Sequence, residues 1–258
     1  GSGIGAACAI LLTQEQLDAW GWRVPFLVGI LIAFVGMYIR HNLTEIPLEE
    51  TDRDRTESPA LTAVKTEWPT MLRIGGLILM ANVGFYLMFV YMTTYLSEII
   101  HVDMSTALEI NTLCLAVILL LIPVGGYLSD KFGRRPILLA ASLSLLVFSY
   151  PLMALIHHQN MWMILAGQMG FAILIGLSFG VNPAALVEMV PARIRCSTLS
   201  IAYNACLAIF GGTTPLVATY LIHRTNDDLT PAYMVMAVAA VTTLVVLTIK
   251  ETARKPLP

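Results

Sequence analysis

Seven long apolar runs constrain this chain more than any other feature of its sequence. A helix needs about 20 apolar residues to cross the hydrocarbon core of a bilayer, and each run comes close to that length. Charged residues make up only 12% of the chain and apolar residues 57%, a balance foreign to soluble domains. We therefore predict an all-α polytopic membrane protein, with spans at 24–39, 74–96, 110–128, 137–156, 161–187, 197–222 and 231–249.

The distribution of lysine and arginine supports these spans independently. Successive polar segments should lie on opposite sides of the membrane, and the cytoplasmic ones should carry the excess of positive charge. One set of alternate segments carries thirteen Lys and Arg residues, whereas the other carries two, Arg23 and Arg224. A missed span would mix the two sets. The ratio therefore predicts a cytoplasmic C-terminus.

A long polar stretch divides the spans into two groups. We predict a cytoplasmic linker at 40–72, a block of six spans at 73–249 and a cytoplasmic tail at 250–258. Residues 1–39 hold one complete span, preceded by a glycine-rich apolar start that is typical of a helix cut in its middle. This arrangement is expected of a 6+6 transporter whose first spans lie outside the chain.

One dense cluster of charge lies between two spans and reads G-G-Y-L-S-D-K-F-G-R-R-P, from Gly125 to Pro136. It resembles the loop signature of the major facilitator superfamily. W-G-W-R-V-P-F (20–26), E-M-V-P-A-R-I-R (188–195) and K-E-T (250–252) resemble the metabolite:proton symporter branch of that family, and its proline/glycine-betaine transporters in particular. The resemblance covers essentially the whole chain. It implies the C-terminal six-helix half of a 6+6 bundle plus the last one-and-a-half helices of the N-terminal half, in a bacterial inner membrane.

The resemblance also implies a cytoplasmic latch around this loop. Asp130 would lie near the helix that starts at about Ser197, where the helix dipole favours an anion. We expect the cluster to close the cytoplasmic side in one state of a transport cycle, although solvated ion pairs of little energy are the alternative. The predicted latch residues are Asp130, Arg134, Arg135, Glu188, Arg193 and Arg195, with Gly126 and Gly133 as turn glycines.

Polar and aromatic residues at helical spacing predict a substrate cavity. In span 74–96 they recur on one face of a regular α-helix, and stacked aromatic rings suit a quaternary ammonium. Packing between helices explains the same pattern. In span 161–187, Pro183 is predicted to kink the helix, and Gly176 and Gly180 favour a close neighbour. The cavity candidates are Asn82, Phe85, Tyr86, Phe89, Gln168, Asn182, Tyr203 and Asn204, with Thr93, Asn111, Ser178 and Ser200 beside them.

The spans of the six-helix block carry no Lys or Arg at depth, and no membrane-depth Asp or Glu suited to carry a proton. An organic acid would need a buried cation, since an unpaired anion is costly in a low dielectric. We therefore expect proton-coupled uptake of a small zwitterionic osmolyte by alternating access, with a carrier of organic acids such as 2-oxoglutarate or citrate as the alternative. The proton-binding residue is expected in the missing N-terminal half, so the chain alone is not expected to transport.

Other classes of function find little support in the sequence. A membrane-embedded enzyme would need clustered His, Asp, Glu or Ser at membrane depth, and no such cluster occurs. The basic residues are spread over loops, which argues against nucleic acid, and the four cysteines lack metal-site spacing. The expected partners are the lipid bilayer, a small-molecule substrate and the N-terminal half, with the proton as coupling ion and no other cofactor.

Overall fold

The computed structural model describes Ile4, Cys8, residues 11–42 and residues 59–255. The chain divides into two compact units, Gly1–Thr56 and Glu57–Pro258. Its described part contains helices and turns without a strand, and seven helices are long and apolar enough to cross a membrane. The all-α, seven-span prediction is thereby confirmed. The predicted helix fragment at the start of the chain falls mostly outside the described residues.

The first unit contains a short helix followed by one span. Helix α1 (Gln14–Ala19) begins with a capping box, in which Thr13 Oγ1 accepts from the backbone of Gln16 and Gln16 Oε1 accepts from the backbone of Thr13. A 3₁₀ turn, Gly21–Arg23, leads into α2 (Val24–Asn42), whose residues are exposed or half-buried. A helix that is apolar all round requires lipid or protein around it.

The second unit is a bundle of six spans. The bounds of its elements are α3 (Pro59–Phe85), a π-helical turn (Tyr86–Tyr91), α4 (Met92–Glu98), α5 (Met104–Phe132), α6 (Arg134–Ile156), α7 (Met161–Glu188), a 3₁₀ turn (Ala192–Ile194), α8 (Arg195–Cys206), a second π-helical turn (Leu207–Gly211), α9 (Thr214–Thr225) and α10 (Thr230–Thr248). Elements from α3 to α4 form the first span, and those from Ala192 to Thr225 form the fifth. Residues 59–72, which the sequence assigned to the linker, are therefore helical, with a break at Glu67.

Local sequence explains where these helices end. Gly133 has φ 107°, a conformation that side chains other than glycine avoid, and it alone separates α5 from α6. Asn160 caps α7 by accepting from the backbone of Trp162 at 2.9 Å. Asn226 ends α9 in the left-handed region. The charged loop is thus a one-residue turn, and Gly126, expected in that turn, lies inside α5.

Glycine lets α5 and α7 pack backbone against backbone. A Cβ at Gly125 would overlap the carbonyl oxygen of Leu177, and one at Gly180 would overlap that of Ile122. Both helices therefore need glycine at their closest approach. Other helix surfaces of this unit are apolar and open, such as Leu119 in α5 and Leu216 in α9, which are 70% and 72% exposed, as expected of side chains that face lipid.

Two clusters of buried apolar side chains hold the bundle together. The larger one includes Leu87, Tyr95 and Phe171, and therefore joins the first span to α7. The smaller one includes Leu77, Val181 and Val246, and joins α3, α7 and α10 near the turn between α5 and α6. The cavity and the charged turn described below border the smaller cluster.

Candidate functional site

A cavity of about 380 Å³ lies between α3, α7 and α8. It is lined by Ile78, Asn82, Phe179, Asn182, Pro183, Leu186, Val187, Leu199, Ser200, Tyr203 and Asn204. All of these wall residues are uncharged. The structure thus brings four predicted substrate residues, Asn82, Asn182, Tyr203 and Asn204, to one cavity.

Two buried carboxamides in this wall hold atoms that lack a hydrogen-bond partner within the described part of the chain. Asn82 is 3% exposed, and its Nδ2 lies beside the thiol of Cys206, at best a weak acceptor. Asn182 is 6% exposed, and its Oδ1 is likewise unpartnered. Leaving such a group unsatisfied costs roughly 1–3 kcal/mol. Because one atom donates and the other accepts, a small molecule with both functions would satisfy the pair.

One face of α8 supplies three exposed residues of the wall. Ser200, Tyr203 and Asn204 are spaced three and four residues apart, so they follow one another along the helix surface. Asn204 Nδ2 donates to the carbonyl oxygen of Ser200 at 2.8 Å. Tyr203 adds an aromatic ring with a phenolic hydroxyl to this rim.

The aromatic candidates of the first span lie outside the wall. Phe85 packs edge-on against Phe179, with ring centroids 5.7 Å apart, and so stands one layer behind the cavity. Phe89 is 4% exposed within the larger core cluster, and Tyr86 packs against Gly211. The sequence pattern assumed a regular α-helix, whereas the π-helical turn adds a residue and rotates positions after its start, such as Phe89. Phe85 precedes the turn and is separated from the cavity by Phe179.

Gln168 also lies outside the wall and forms a bridge with Asn111. Gln168 Nε2 donates to the carbonyl oxygen of Met88 at 3.0 Å and to Asn111 Oδ1 at 3.1 Å. Asn111 Nδ2 donates to the carbonyl oxygen of Phe89 at 3.1 Å. Both carbonyl groups belong to the π-helical turn of the first span.

A second polar site surrounds the turn between α5 and α6, and we call it the turn cluster (Ser129, Asp130, Arg134, Glu188, Glu251 and Thr252). Arg134 is its centre: Nε and Nη2 donate to the Glu188 carboxylate at 3.2 and 2.9 Å. Its Nη1 donates to Ser129 Oγ at 2.6 Å and to Asp130 Oδ1 at 2.5 Å. The Arg134 and Glu188 side chains are only 13% and 16% exposed, so their pair is screened less than a surface ion pair.

Glu251 completes the cluster, although the sequence predicted no role for it. Its carboxylate accepts backbone N–H bonds from Arg134 at 2.9 Å, Arg135 at 3.0 Å, Thr252 at 3.0 Å and Ala253 at 2.9 Å. Partial burial alone would raise the pKa of Glu251, but these four donors outweigh it and hold the pKa below its usual value. The first two donors open α6, so Glu251 caps that helix across 117 residues of sequence.

Gly133 leaves room for the Glu251 carboxylate, and Thr252 links it to the rest of the turn cluster. A Cβ at Gly133 would lie 2.6 Å from Glu251 Oε2, so a larger residue would displace the carboxylate. Thr252 Oγ1 donates to Glu188 Oε2 at 2.6 Å, which joins the tail to the ion pair. The sequence signal for this cap is the K-E-T segment (250–252), which by itself indicates only a family resemblance.

The structure gathers three of the six predicted latch residues, Asp130, Arg134 and Glu188. Arg135 turns to the end of α10, where its Nη2 donates to the carbonyl oxygen of Leu247 at 3.0 Å. Arg195 Nε donates to the carbonyl oxygen of Val190 at 2.9 Å, and Arg193 lies exposed in the 3₁₀ turn. The approach of Asp130 to the start of α8 stays a prediction.

Six membrane-length spans, an uncharged cavity between three of their helices, and a charged turn at one end are typical of one half of a membrane transporter. Residues 74–258 match the family described as Major Facilitator Superfamily. The proline/betaine transporters of Salmonella typhimurium and Escherichia coli K12 are each 32% identical to this chain over 269 residues. The glycine betaine/proline/ectoine/pipecolic acid transporter OusA of Dickeya dadantii is also 32% identical over 269 residues.

These alignments cover 100% of this chain and 54% of each relative, so the chain spans about half the length of the curated relatives it matches. The chain belongs to the major facilitator superfamily. It is a multi-pass membrane protein, and its relatives are named as transporters rather than enzymes.

Proposed function

We propose that this chain forms part of a secondary active transporter that takes up a small zwitterionic osmolyte, of the proline or glycine-betaine type, together with protons by alternating access. The observation that carries the proposal is the pair of unpartnered carboxamide atoms, Asn82 Nδ2 and Asn182 Oδ1, in one uncharged cavity. Relatives named for proline, betaine and ectoine favour the same class of substrate.

The cavity suits the two ends of such a zwitterion. Its carboxylate would accept from Asn82 Nδ2, and a hydrogen bond to a charged group contributes about 1.5–3 kcal/mol. Its positive end would lie toward Asn182 Oδ1 and the ring of Tyr203. The ammonium of proline can donate a hydrogen bond to Asn182 Oδ1, whereas a quaternary ammonium, which has no N–H, is attracted to that oxygen by charge alone. Cation–π attraction to a tyrosine ring contributes about 0.5–2 kcal/mol. The wall carries no cation for a second carboxylate, which disfavours 2-oxoglutarate or citrate as substrate.

The turn cluster serves in this scheme as the cytoplasmic latch. Thirteen Lys and Arg residues on its side of the membrane, against two on the other, favour a cytoplasmic turn and tail. The proposal assigns the protein to a bacterial inner membrane. The N-terminal half is its partner across the pathway and holds the carboxylate that carries the coupling proton.

The test is uptake of labelled proline, glycine betaine and 2-oxoglutarate by cells that express the full-length protein, with and without a proton uncoupler. We expect uptake of a zwitterion that the uncoupler abolishes. The Asn82→Leu variant should raise KM roughly ten-fold or more, because the carboxylate loses its donor. Uptake of 2-oxoglutarate alone would overturn the zwitterion assignment, and uptake that survives the uncoupler would overturn proton coupling.

The matched control is Asn42→Leu, the same substitution at an exposed carboxamide outside the cavity wall. Its amide donates to the carbonyl oxygen of Tyr38 in the same helix, and its KM should stay within about two-fold of the unmodified protein. An equal rise in KM for both variants would refute a specific role for Asn82.

A further inference from the structure

A buried pair of carboxamides, Gln168 and Asn111, donates hydrogen bonds to the π-helical turn Tyr86–Tyr91. We call these hydrogen bonds the grip. Gln168 is fully buried and Asn111 is 5% exposed, yet neither belongs to the cavity wall. They come from two different spans, α7 and α5, and both donate to the first span. Three helices therefore meet at this turn through polar contacts in an otherwise apolar core.

The orientation of both carboxamides follows from their neighbours. Gln168 Nε2 faces two acceptors, the carbonyl oxygen of Met88 and Asn111 Oδ1, and Asn111 Nδ2 faces the carbonyl oxygen of Phe89. Rotating either amide would set oxygen against oxygen. Gln168 Oε1 is consequently left without a partner among the described residues, a state that costs free energy. The grip is thus retained despite an unsatisfied buried atom.

The gripped turn separates two parts of the first span that have different attachments. Asn82, on the α3 side, lines the cavity. Tyr95, on the α4 side, donates through its hydroxyl to the carbonyl oxygen of Asp228 at 3.0 Å and lies 3.0 Å from His157 Nδ1. An α-helix turns about 100° and rises about 1.5 Å per residue. Conversion of the π-helical turn to α-helix would therefore rotate the α4 side by about 100° relative to Asn82.

We propose that Gln168 and Asn111 are positioning residues that hold this turn π-helical, and that release of their grip lets the turn convert toward α-helix as the cavity changes access. The role in access rests on the proposed transport function. The effect on the turn itself does not, because it is a property of the ligand-free chain.

The test is amide hydrogen exchange of the purified protein without substrate, read by mass spectrometry on peptides that cover residues 86–98. Gln168→Met keeps the volume of the side chain and removes both donated bonds. We expect exchange in this segment to accelerate roughly ten-fold, as loss of about 1.4 kcal/mol of local opening free energy requires. Asn111→Leu, which removes the bond to Phe89, should accelerate the same peptides by a smaller factor.

Ser178→Ala is the control, because fully buried Ser178 lies in the same helix as Gln168 and donates only within that helix, to the carbonyl oxygen of Ile175. Its exchange in residues 86–98 should match that of the unmodified protein. Unchanged exchange there in Gln168→Met, or a uniform rise through α3, α5 and α7, would overturn the proposal. If Gln168→Met does not fold, Asn111→Leu decides by the same criterion.

Uptake by the full-length protein supplies the second measurement. Because neither residue lines the cavity, Gln168→Met should lower the maximal rate while KM stays within about two-fold, the reverse of the pattern expected for Asn82→Leu. A rise in KM with an unchanged maximal rate would refute positioning. If no zwitterion is transported at all, the proposed function fails while the exchange result still decides the role of the grip.

Discussion

Replacement of Glu251 by glutamine isolates the cap that the C-terminal tail places on α6. Glutamine keeps the length of the side chain but removes its charge and substitutes an NH₂ group for one acceptor oxygen. One of the four donated backbone bonds is then lost, together with the attraction of the helix start for an anion. Helix caps contribute about 0.5–2 kcal/mol and the dipole about 0.3–1 kcal/mol.

We therefore expect the variant to lose about 1–2 kcal/mol of stability, a value held low because the carboxylate is only partly buried. For a chain of this size the unfolding midpoint falls by roughly 2–4 °C per kcal/mol. The assay is thermal unfolding of the purified protein in detergent, followed by tryptophan fluorescence. Glu109→Gln, which removes an exposed carboxylate from α5, is the matched control and should leave the midpoint unchanged within about 1 °C.

The stabilisation that Glu251 provides should depend on pH, and the direction of its pKa shift gives the sign of that dependence. The folded-state pKa of Glu251 is lowered, so its stabilisation is fully present above the unfolded pKa of about 4.3 and is lost as pH falls through the folded value. The difference between unmodified protein and Glu251→Gln should accordingly be constant near neutral pH and shrink below about pH 4. Equal midpoints at pH 7, or a gap that widens on acidification, would refute the capping argument.

Three further substitutions test neighbouring contacts. Gly133→Ala should cost about 1–3 kcal/mol for its backbone alone and more through contact with the Glu251 carboxylate. The penalty should therefore be smaller in a Glu251→Ala background, which removes that group; a double-mutant cycle of unfolding midpoints measures this. Arg134→Lys should lose about 1–3 kcal/mol because an ammonium cannot donate to Glu188 through two fixed nitrogens, whereas exposed Lys131→Arg should be neutral by the same assay. Gly180→Val should separate α5 from α7 and abolish a monodisperse peak in size-exclusion chromatography, and a normal elution profile would contradict the close helix packing.

Span number and helix type were predictable because they depend on summed properties of long segments. Twenty apolar residues in a row leave a backbone no alternative in lipid but a helix, and the charge count fixes alternation without any knowledge of packing. The turn at Gly133 was equally predictable from the sequence, since this glycine lies between two charged helix ends. The start of α3 at Pro59 was not, because residues 59–72 are polar enough to read as a linker.

Part of the cavity was predictable for a different reason. Asn82, Asn182, Tyr203 and Asn204 are polar residues within apolar spans, and placing polar groups inside a membrane without a use is costly. Phe89 failed the same test because a π-helical turn, which has no reliable sequence signal, changed the face of the first span. Gln168 lies in α7 and failed because it donates to the carbonyl oxygen of Met88 and to Asn111, contacts that only the fold creates. The role of Glu251 could not be predicted from the sequence, because its partners at the start of α6 are distant in sequence and only the fold brings them together.

The attachment of the tail to α6 has a practical consequence for protein engineering. A fluorescent reporter or affinity tag fused directly after Thr248 would replace Glu251, whose carboxylate caps α6, and Thr252, which donates to Glu188. The same fusion made beyond Lys255 would leave those contacts in place. A poor yield of the fusion made after Thr248 would then reflect loss of the cap on α6 rather than toxicity of the fused reporter.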